Sequence, residues 1–531
     1  MPPDFNDDTR TQNTTAPSQP VKPVAVIDIG TSSVRMAVAE IDDQGGVRTL
    51  ESLSQAVSLG KDTFSQGYIG KTTIEECVRV LRIYRQKLEE YQISNPDQLR
   101  VVATSAVREA SNRLAFLDRI YIATGMEVEA IDEAEVSRVT YHGILPFLQE
   151  EPELDAARTV VIEVGGGSTE LLIMKERNIT FSHTYRLGSL RLRKMLEAFN
   201  APTVKVQAMM QSQIERTVDE IRQHVPRDET VEMIALGGDV RFAVTQIEPD
   251  WNHDVLAKVP VESLERFTND VFKYSPDELV QKFHLSFPHA ETLGPALLTY
   301  TRLAQAFELK HVLVTNTNLR DGLLNEMAAR DAWIDEFKMQ IIRSALDLGR
   351  KFQFDEDHVQ HVAILSQKLF QALQAEHQLD SRYELILYVA ALLHEIGLYI
   401  SQPAYHKHSQ YLIQNSELFG LAKKDVLLVS LIARYHRRAS PQPRHEGYST
   451  LDRQQRVAVA KLAAILRVAI ALDESRSQRI HELRCSPQDG QLVISIPHVQ
   501  DLSLEQLALR QSGLLFEEIY GMTVMLRTVR K

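Results

Sequence analysis

The chain has 531 residues, 44% hydrophobic and 24% charged, a globular balance with room for about three or four domains. Its 59 basic and 71 acidic residues give a net charge of −12, which excludes generic coating of nucleic acid and leaves any polyanion to local basic clusters. The two cysteines, Cys77 and Cys485, lack CxxC spacing, which argues against a disulfide framework or thiolate metal site and for a reducing compartment. No apolar run reaches the roughly 18 to 20 residues of a membrane span, and no signal-peptide stretch opens the chain, so the cytoplasm is the expected location.

In chain order, residues 1–20 are rich in Asp, Asn, Thr, Gln and Pro and read as a disordered tail. Val24 to Ala39 predicts a strand, a glycine turn and a second strand. Thr73 to Tyr91 is expected to be helical, with Ile74, Cys77, Val78, Leu81 and Leu88 at helix spacing. A short strand, Arg100 to Thr104, runs into Ser105-Ala106-Val107-Arg108. Hydroxyls at a strand end, one helical turn from an arginine, offer donors and a forked cation to one anion. Taken alone, the same stretch is more often an N-cap beside a surface arginine. Met126 to Ile131 predicts a strand that enters Asp132-Glu133-Ala134-Glu135 and a helix through Tyr141. Acids at a helix start ordinarily serve the dipole. Glu135, however, is placed to take a proton from water if phosphate is bound nearby.

Thr159 to Ile173, TVVIEVGGGSTELLI, organises the rest. An apolar strand breaks at Gly165, Gly166 and Gly167 into Ser168, Thr169 and Glu170, and consecutive glycines can turn their N–H groups into a cup for phosphate. The design occurs once before. Val26-Ile27-Asp28-Ile29-Gly30 lies on Val161-Ile162-Glu163-Val164-Gly165, Ser33 on Ser168, and Met36 to Val38 on Leu171 to Ile173. A duplicated phosphate hairpin predicts two related lobes whose turns face each other across a cleft and share one phosphoryl group with Glu135.

Tyr185 to Leu192, YRLGSLRL, is a basic loop opening a helix; Met233 to Asp239 is a third apolar strand ending in glycines; His311 to Thr315 is a further strand. Alternation of strands and helices to about residue 330 predicts α/β architecture. From Ala332 the pattern is nearly continuous helix, with His406, Lys407, His408, Arg434, His436, Arg437, Arg438 and Arg444 grouped in sequence. Ile480 to Lys531 predicts a small α+β cap packed on the helices, with strands at Leu492 to Ile496 and Met522 to Leu526 around a helix at Leu502 to Leu514.

The ordered set DIGTSSVR, ATSAVREASN, IDEAEVSR, EVGGGSTE, YRLGSLRL and NLRDGLL closely resembles the exopolyphosphatase and guanosine pentaphosphate phosphohydrolase family, from about Val24 to the C-terminus. The resemblance implies a duplicated two-lobe core of the actin and sugar-kinase (RNase H-like) type, then an all-helical HD-like domain and a small α+β domain. The expected boundaries are a tail at 1–20, lobe I at 21–140, lobe II at 141–328, the helical domain at 329–478 and the cap at 479–531. It also implies Mg²⁺-dependent hydrolysis of a terminal phosphoanhydride and a homodimer, with no nucleic-acid or membrane partner.

By position, the resemblance assigns phosphate binding to Asp28, Gly30, Thr31, Ser32, Ser33, Arg108, Gly165, Gly166, Gly167 and Ser168. Glu135 becomes the general base and Glu170 the second active-site carboxylate, with Mg²⁺ near Asp28, Glu163 or Glu170. The basic set His406, Lys407, His408, Arg434, His436, Arg437 and Arg438 becomes a track for a long polyphosphate tail, because a repeating anion needs distributed cations.

Several positions depart from the family pattern. Glu163 stands for the usual aspartate, Ser32 for asparagine, Leu236 to Arg241 for a small-hydroxyl glycine turn, and His289 and Glu291 for an arginine and an aspartate. Asp239 would repel an anion placed beside it. In the helical domain His358 and His394 are present, but Glu395 replaces an aspartate and Ile470 stands where a later one is expected. Isoleucine cannot ligate a metal, so a metallohydrolase site there is not expected. The expected activity is release of terminal phosphate from inorganic polyphosphate, with guanosine pentaphosphate as the alternative substrate. A non-catalytic sensor of polyphosphate or alarmone is the rival from another class, and a kinase the weakest.

Overall fold

A computed structural model of the chain describes residues 22–529 apart from 152–153, 155–156, 198–202, 227–228, 330–331, 438 and 489. The tail expected at 1–20 and Arg438 therefore lie outside the described residues. The chain divides into two compact units: Met1–Ala130 with Asn318–Arg330, and Ile131–Thr317 with Asp331–Lys531. The segment from Asn318 thus belongs with the first unit, where the sequence boundaries had it closing lobe II.

In the first unit, β1 (Lys22–Ile29), β2 (Ser33–Ile41), β3 (Val47–Ala56), β4 (Leu99–Ala103) and β5 (Glu129–Ala130) form one sheet in the order β3-β2-β1-β4-β5. The strand expected at Met126 to Ile131 contracts to those two residues of β5. β1 pairs antiparallel with β2 and parallel with β4. Ala25, Ile27 and Ile29 point into a core shared with Cys77, Val78, Leu81 and Leu88 of the helix Lys71–Glu90. Alternate residues of a strand face opposite sides, and both sides of β1 are buried. That explains its unbroken apolar run.

The second unit opens with β6 (Arg158–Val164), β7 (Thr169–Lys175), β8 (Asn178–Tyr185), β9 (Val231–Leu236), β10 (Ala257–Pro260) and β11 (His311–Val314), in the order β10-β11-β9-β6-β7-β8. β6 repeats the role of β1, antiparallel to β7 and parallel to β9. Val160, Ile162 and Val164 pack toward the helix Phe287–Ala306, while Val161, Leu172 and Met174 pack toward Tyr141, Ile144 and Leu145 of the helix Glu133–Glu150. The duplication expected from the two glycine hairpins is thus present at the level of strand order and sense.

Between Ala332 and Leu472 the described elements of this unit are all helices, and β12 (Arg484–Gln488), β13 (Gln491–Pro497) and β14 (Thr523–Val529) form a terminal three-stranded sheet. Leu492, Ile494 and Phe516 share one core with Leu462, Leu466 and other helical residues, so the cap packs on the helices as expected. β12 was not legible in the sequence, and the expected single helix is two, Ser503–Ser512 and Leu514–Tyr520. No described helix is long and apolar enough to cross a membrane.

Candidate active site

In the first unit, the turn between β1 and β2 is closed by Gly30 N–H donating to the Ser33 carbonyl at 3.0 Å. A Cβ on Gly30 would stand 3.2 Å from that carbonyl oxygen. β4 ends beside β1, with Ile29 opposite Ala103, which brings the Thr104–Arg108 segment to the turn. Thr31 Oγ1 and Ser105 Oγ lie 3.4 Å apart, and Arg108, half-buried, ends the short helix Ser105–Arg108. The two first-lobe motifs are therefore neighbours. Asp28 is 5% exposed, and burial raises its pKa against the lowering influence of Arg35 and Arg320. Arg320 Nη1 is 3.7 Å from Asp28 Oδ2, and Oδ1 has no hydrogen-bond partner among the described residues.

The second turn is closed by the equivalent bond: Gly165 N–H donates to the Ser168 carbonyl at 2.9 Å. Its carbonyls are tied to the start of the helix Ser189–Glu197. Ser189 N–H donates to Gly165 O at 2.9 Å, Leu190 and Arg191 N–H to Gly166 O at 3.0 Å, and Arg191 Nε to Gly167 O at 2.6 Å. In a trans peptide the N–H points opposite to its C=O. The N–H groups of Gly166, Gly167 and Ser168 are consequently turned away from that helix, as a donor cup requires. Gly188 makes this approach possible, because a Cβ there would lie 2.3 Å from the Gly167 carbonyl carbon and 2.4 Å from the Gly166 oxygen.

Glu163 and Glu170 are cross-strand partners on β6 and β7. Glu170 is 6% exposed and accepts hydrogen bonds from Ser168 Oγ at 2.9 Å and from Thr184 Oγ1. Like charges directly opposite across a strand pair are destabilising unless a cation relieves them. The equivalent pair in the first unit is Asp28 with Arg35, where the cation is built in. The opposed carboxylates of the second hairpin present oxygen atoms, the ligand type that a hard divalent ion takes.

Glu135 is the N3 residue of the helix Glu133–Glu150 and closes a capping box: its Oε2 accepts from Asp132 N–H at 2.9 Å, while Asp132 Oδ1 accepts from Glu135 N–H at 3.1 Å. The cap orients the carboxylate. Tyr300, fully buried, fastens the sheet behind the turn: it accepts the Val164 N–H at 2.8 Å and donates to the Leu236 carbonyl. Gly237, at φ +119°, would bring a Cβ to 2.9 Å from that hydroxyl, so glycine is needed at both levels.

Two departures from the family pattern face each other. His289 Nε2 is 3.2 Å from Asp239 Oδ1, and Thr292 Oγ1 donates to the same oxygen at 3.4 Å. Glu291 pairs with Lys194 Nζ at 2.9 Å and Arg193 Nε at 3.5 Å. The Asp239 charge has a local partner, which the sequence alone did not show.

A cleft of about 1080 Å³ within the second unit is lined by Asp132, Thr184, Arg186, Lys407, Lys423 and Arg434, among others. Lys407 and Arg434 thus reach the same space as Thr184, which holds Glu170. Arg437 is exposed, its guanidinium 4.8 Å from the Tyr405 ring, and His408 is half-buried. His436 does not belong to a basic face. It is buried, accepts from or donates to Tyr405 OH at 3.0 Å, and burial drives its pKa well below the usual value. His406 is neutral near pH 7 as well, with its pKa pushed down to about 4 by burial and then by Arg437 and Arg434.

In the helical region His358, His394 and Glu395 come together, one ligand atom of each within 4.8 Å of the others. The later aspartate, sought at Ile470, is Asp473: its Oδ2 lies 2.8 Å from His358 Nδ1. The expectation that no metal is held here rested on Ile470, whereas the carboxylate beside His358 belongs to Asp473. Asp473 is the residue that caps the C-terminus of the helix Arg453–Leu472, one turn beyond Ile470.

The sequence profile of the Ppx/GppA phosphatase family matches residues 37–331, and that of Ppx/GppA phosphatase, domain III, matches residues 342–518. The chain belongs to the Ppx/GppA phosphatase family. Over 511 residues it is 21% identical to guanosine-5'-triphosphate,3'-diphosphate pyrophosphatase of Photobacterium profundum, spanning 93% of this chain and 97% of the relative. Among solved structures, an exopolyphosphatase from Cytophaga hutchinsonii superposes with a TM-score of 0.52 at 19% identity, over 58% of this chain and 98% of its own. The Aquifex aeolicus Ppx/GppA family member gives 0.49 at 22% identity, over 59% and 99%. The Ppx/GppA core is the duplicated α/β pair of lobes expected from the hairpins, followed here by helical domain III and the small sheet.

Sequence reading missed Gly188, Tyr300 and Asp473. The first had a signal, a glycine just ahead of the helix that follows the loop. The tyrosine had none, because its partners are 136 and 64 residues away.

Proposed function

We propose that this Ppx/GppA protein hydrolyses the terminal phosphoanhydride of inorganic polyphosphate. The observation that carries the reading is the second glycine turn, whose carbonyls are bound back to the following helix so that consecutive N–H groups face outward together. Such a cup matches the charge that spreads over a transferred phosphoryl group. The first unit's own turn at Gly30 to Ser33, with Ser105 and Arg108 on the adjoining segment, is assigned phosphate binding as well.

Glu135 is assigned the attacking water. Its carboxylate, oriented by the capping box, accepts the water's proton as the new P–O bond forms and the anhydride P–O bond breaks, and no covalent enzyme intermediate is needed. Glu163 and Glu170 are the residues of the second unit that would hold Mg²⁺, which when bound supplies positive charge to the phosphate oxygens. Ser168 and Thr184 fix the Glu170 carboxylate for that task. Arg186, Lys407 and Arg434 are assigned the rest of the chain, since they line one cleft with Thr184.

Guanosine pentaphosphate is the second reading, favoured by the Photobacterium relative, whose likeness spans 93% of the chain. Phosphate release by the purified protein from long-chain polyphosphate and from guanosine pentaphosphate, side by side, separates the two. Faster release from polyphosphate is expected. Preference for the nucleotide would select the second reading, and tight binding of either without turnover would replace both with a sensor.

A further inference from the structure

We propose that Tyr300 is a positioning residue of the second glycine turn: its hydroxyl, inserted between the ends of β6 and β9, fixes where Gly165 to Ser168 stand and hence how well the donor cup fits a transferred phosphoryl group. The inference deepens the hydrolase reading above and rests on it. Tyr300 lies on the helix Phe287–Ala306, fully buried in one core with Val164 and Val240. In a close-packed interior its ring has no room to seek other partners.

β6 and β9 run parallel, with Glu163 opposite Leu236 as the last registered pair. At that point the hydroxyl accepts the Val164 N–H at 2.8 Å and donates to the Leu236 carbonyl. A carbonyl can only accept, so the hydroxyl proton points at Leu236 and an oxygen lone pair is left for Val164. Both backbone groups belong to buried residues. A phenylalanine could serve neither, and a buried N–H or C=O without a partner is costly. Gly237, at φ +119°, admits the hydroxyl, since a Cβ there would stand 2.9 Å from it.

The contact is one peptide from the turn. Val164 is followed by Gly165, whose N–H closes the turn on the Ser168 carbonyl and whose carbonyl takes the Ser189 N–H, each at 2.9 Å. The turn is therefore held from two sides, by the helix Ser189–Glu197 at its carbonyls and by Tyr300 at the strand that enters it. A displacement of Val164 passes to Gly165 through a planar peptide, and misplacing catalytic donors by about 1 Å can cost on the order of 100-fold in rate. In the first unit Tyr84 Oη donates to the Val34 carbonyl at 2.9 Å, just after that turn, where the hydroxyl bonds one strand rather than bridging two.

The test compares Tyr300→Phe with Tyr520→Phe, which removes a cap hydroxyl bonded to the Lys461 carbonyl at 3.4 Å, on whichever of polyphosphate and guanosine pentaphosphate the unaltered protein hydrolyses. Tyr300→Phe should lower kcat at least roughly tenfold with KM changed less than about twofold, since ground-state contacts along the cleft are kept. Tyr520→Phe should keep both values. Hydrogen exchange resolved to single residues is the readout independent of activity: the Val164 amide should be protected like that of Ile162 in the unaltered protein and exchange at least roughly tenfold faster in Tyr300→Phe. Should Tyr300→Phe fail to fold, Val164 protection in the unaltered protein carries the test. A Val164 amide that exchanges as freely as an exposed loop, or a folded Tyr300→Phe protein with kcat unchanged, would overturn the proposal. Absence of turnover in the unaltered protein would instead remove the hydrolase reading, and exchange alone would then judge whether Tyr300 holds the turn.

Discussion

Asp132 Oδ2 accepts the backbone N–H of Lys423 at 2.9 Å, while its Oδ1 caps the helix that bears Glu135. One carboxylate thus closes the first turns of Glu133–Glu150 and Lys423–Arg434. Lys423 Nζ adds an ion pair to Glu133 Oε2 at 3.0 Å, exposed enough to contribute little. Each lost N-cap typically costs about 1 kcal/mol, so Asp132→Ala should destabilise the protein by roughly 2 kcal/mol. Urea unfolding measures this, and the same variant should release phosphate more slowly because Glu135 loses its orienting bond. Asp132→Asn, which can still accept, should recover most of the stability.

Glu135→Gln keeps the shape of the side chain and removes its capacity to accept a proton. Turnover should fall by roughly 100-fold to 10,000-fold with little change in substrate affinity. Single-turnover kinetics with a separate binding measurement distinguish the two effects, and wild-type turnover in the variant would remove Glu135 from the chemistry.

Gly188→Ala tests the donor cup without touching a charged group. The added Cβ would meet backbone atoms of Gly166 and Gly167, 2.4 and 2.3 Å away, and overpacking of this kind costs about 1 to 3 kcal/mol. Because the strain falls on the turn itself, phosphate release should drop by roughly tenfold or more while the thermal midpoint falls only modestly. A fully active Gly188→Ala protein would argue that the turn does not hold phosphate.

Lys407→Gln combined with Arg434→Gln should raise KM for long polyphosphate chains more than for short ones and flatten the dependence of KM on salt, since fewer counterions are released. Arg434 also donates to Gln410 Oε1, so the Lys407 variant alone is the cleaner measure. An effect of equal size at every chain length would count against these cations as a track.

His142, 4% exposed, packs with its ring 5.5 Å from that of Phe337. Burial, with Arg138 adding to it, pushes its pKa from 6.5 down to about 4. The folded value lies below the unfolded one, so between these limits the unfolded chain takes up a proton that the folded chain refuses. Stability should therefore fall as pH drops through that window and be unaffected by this group above it, by at most about 3 kcal/mol. Unfolding of His142→Gln from pH 4 to 8 should show a shallower acid slope than the unaltered protein.

The duplicated hairpins were legible from the residues because their signals are local. A strand bound by apolar residues, a run of glycines and a hydroxyl at a set offset specify a turn almost regardless of what surrounds it. The pairing of Glu163 with Glu170 follows from the same register, so the opposed carboxylates could be placed from the sequence. The basic cluster was read less well. Adjacent helical residues point in different directions, and His436 turned inward beside His394 while Lys407 turned to the cleft.

The amino-acid sequence by itself determined the family, the repeated strand-turn-strand units and the change to helix after residue 330, all of which depend on short-range pattern. Only the tertiary structure decided that Asp473, not residue 470, meets His358, that Asp132 caps two helices at once, and that Tyr300 ties Val164 to Leu236. These contacts join segments far apart in the chain, where packing and hydrogen-bond geometry choose the partner and no local spacing encodes the choice.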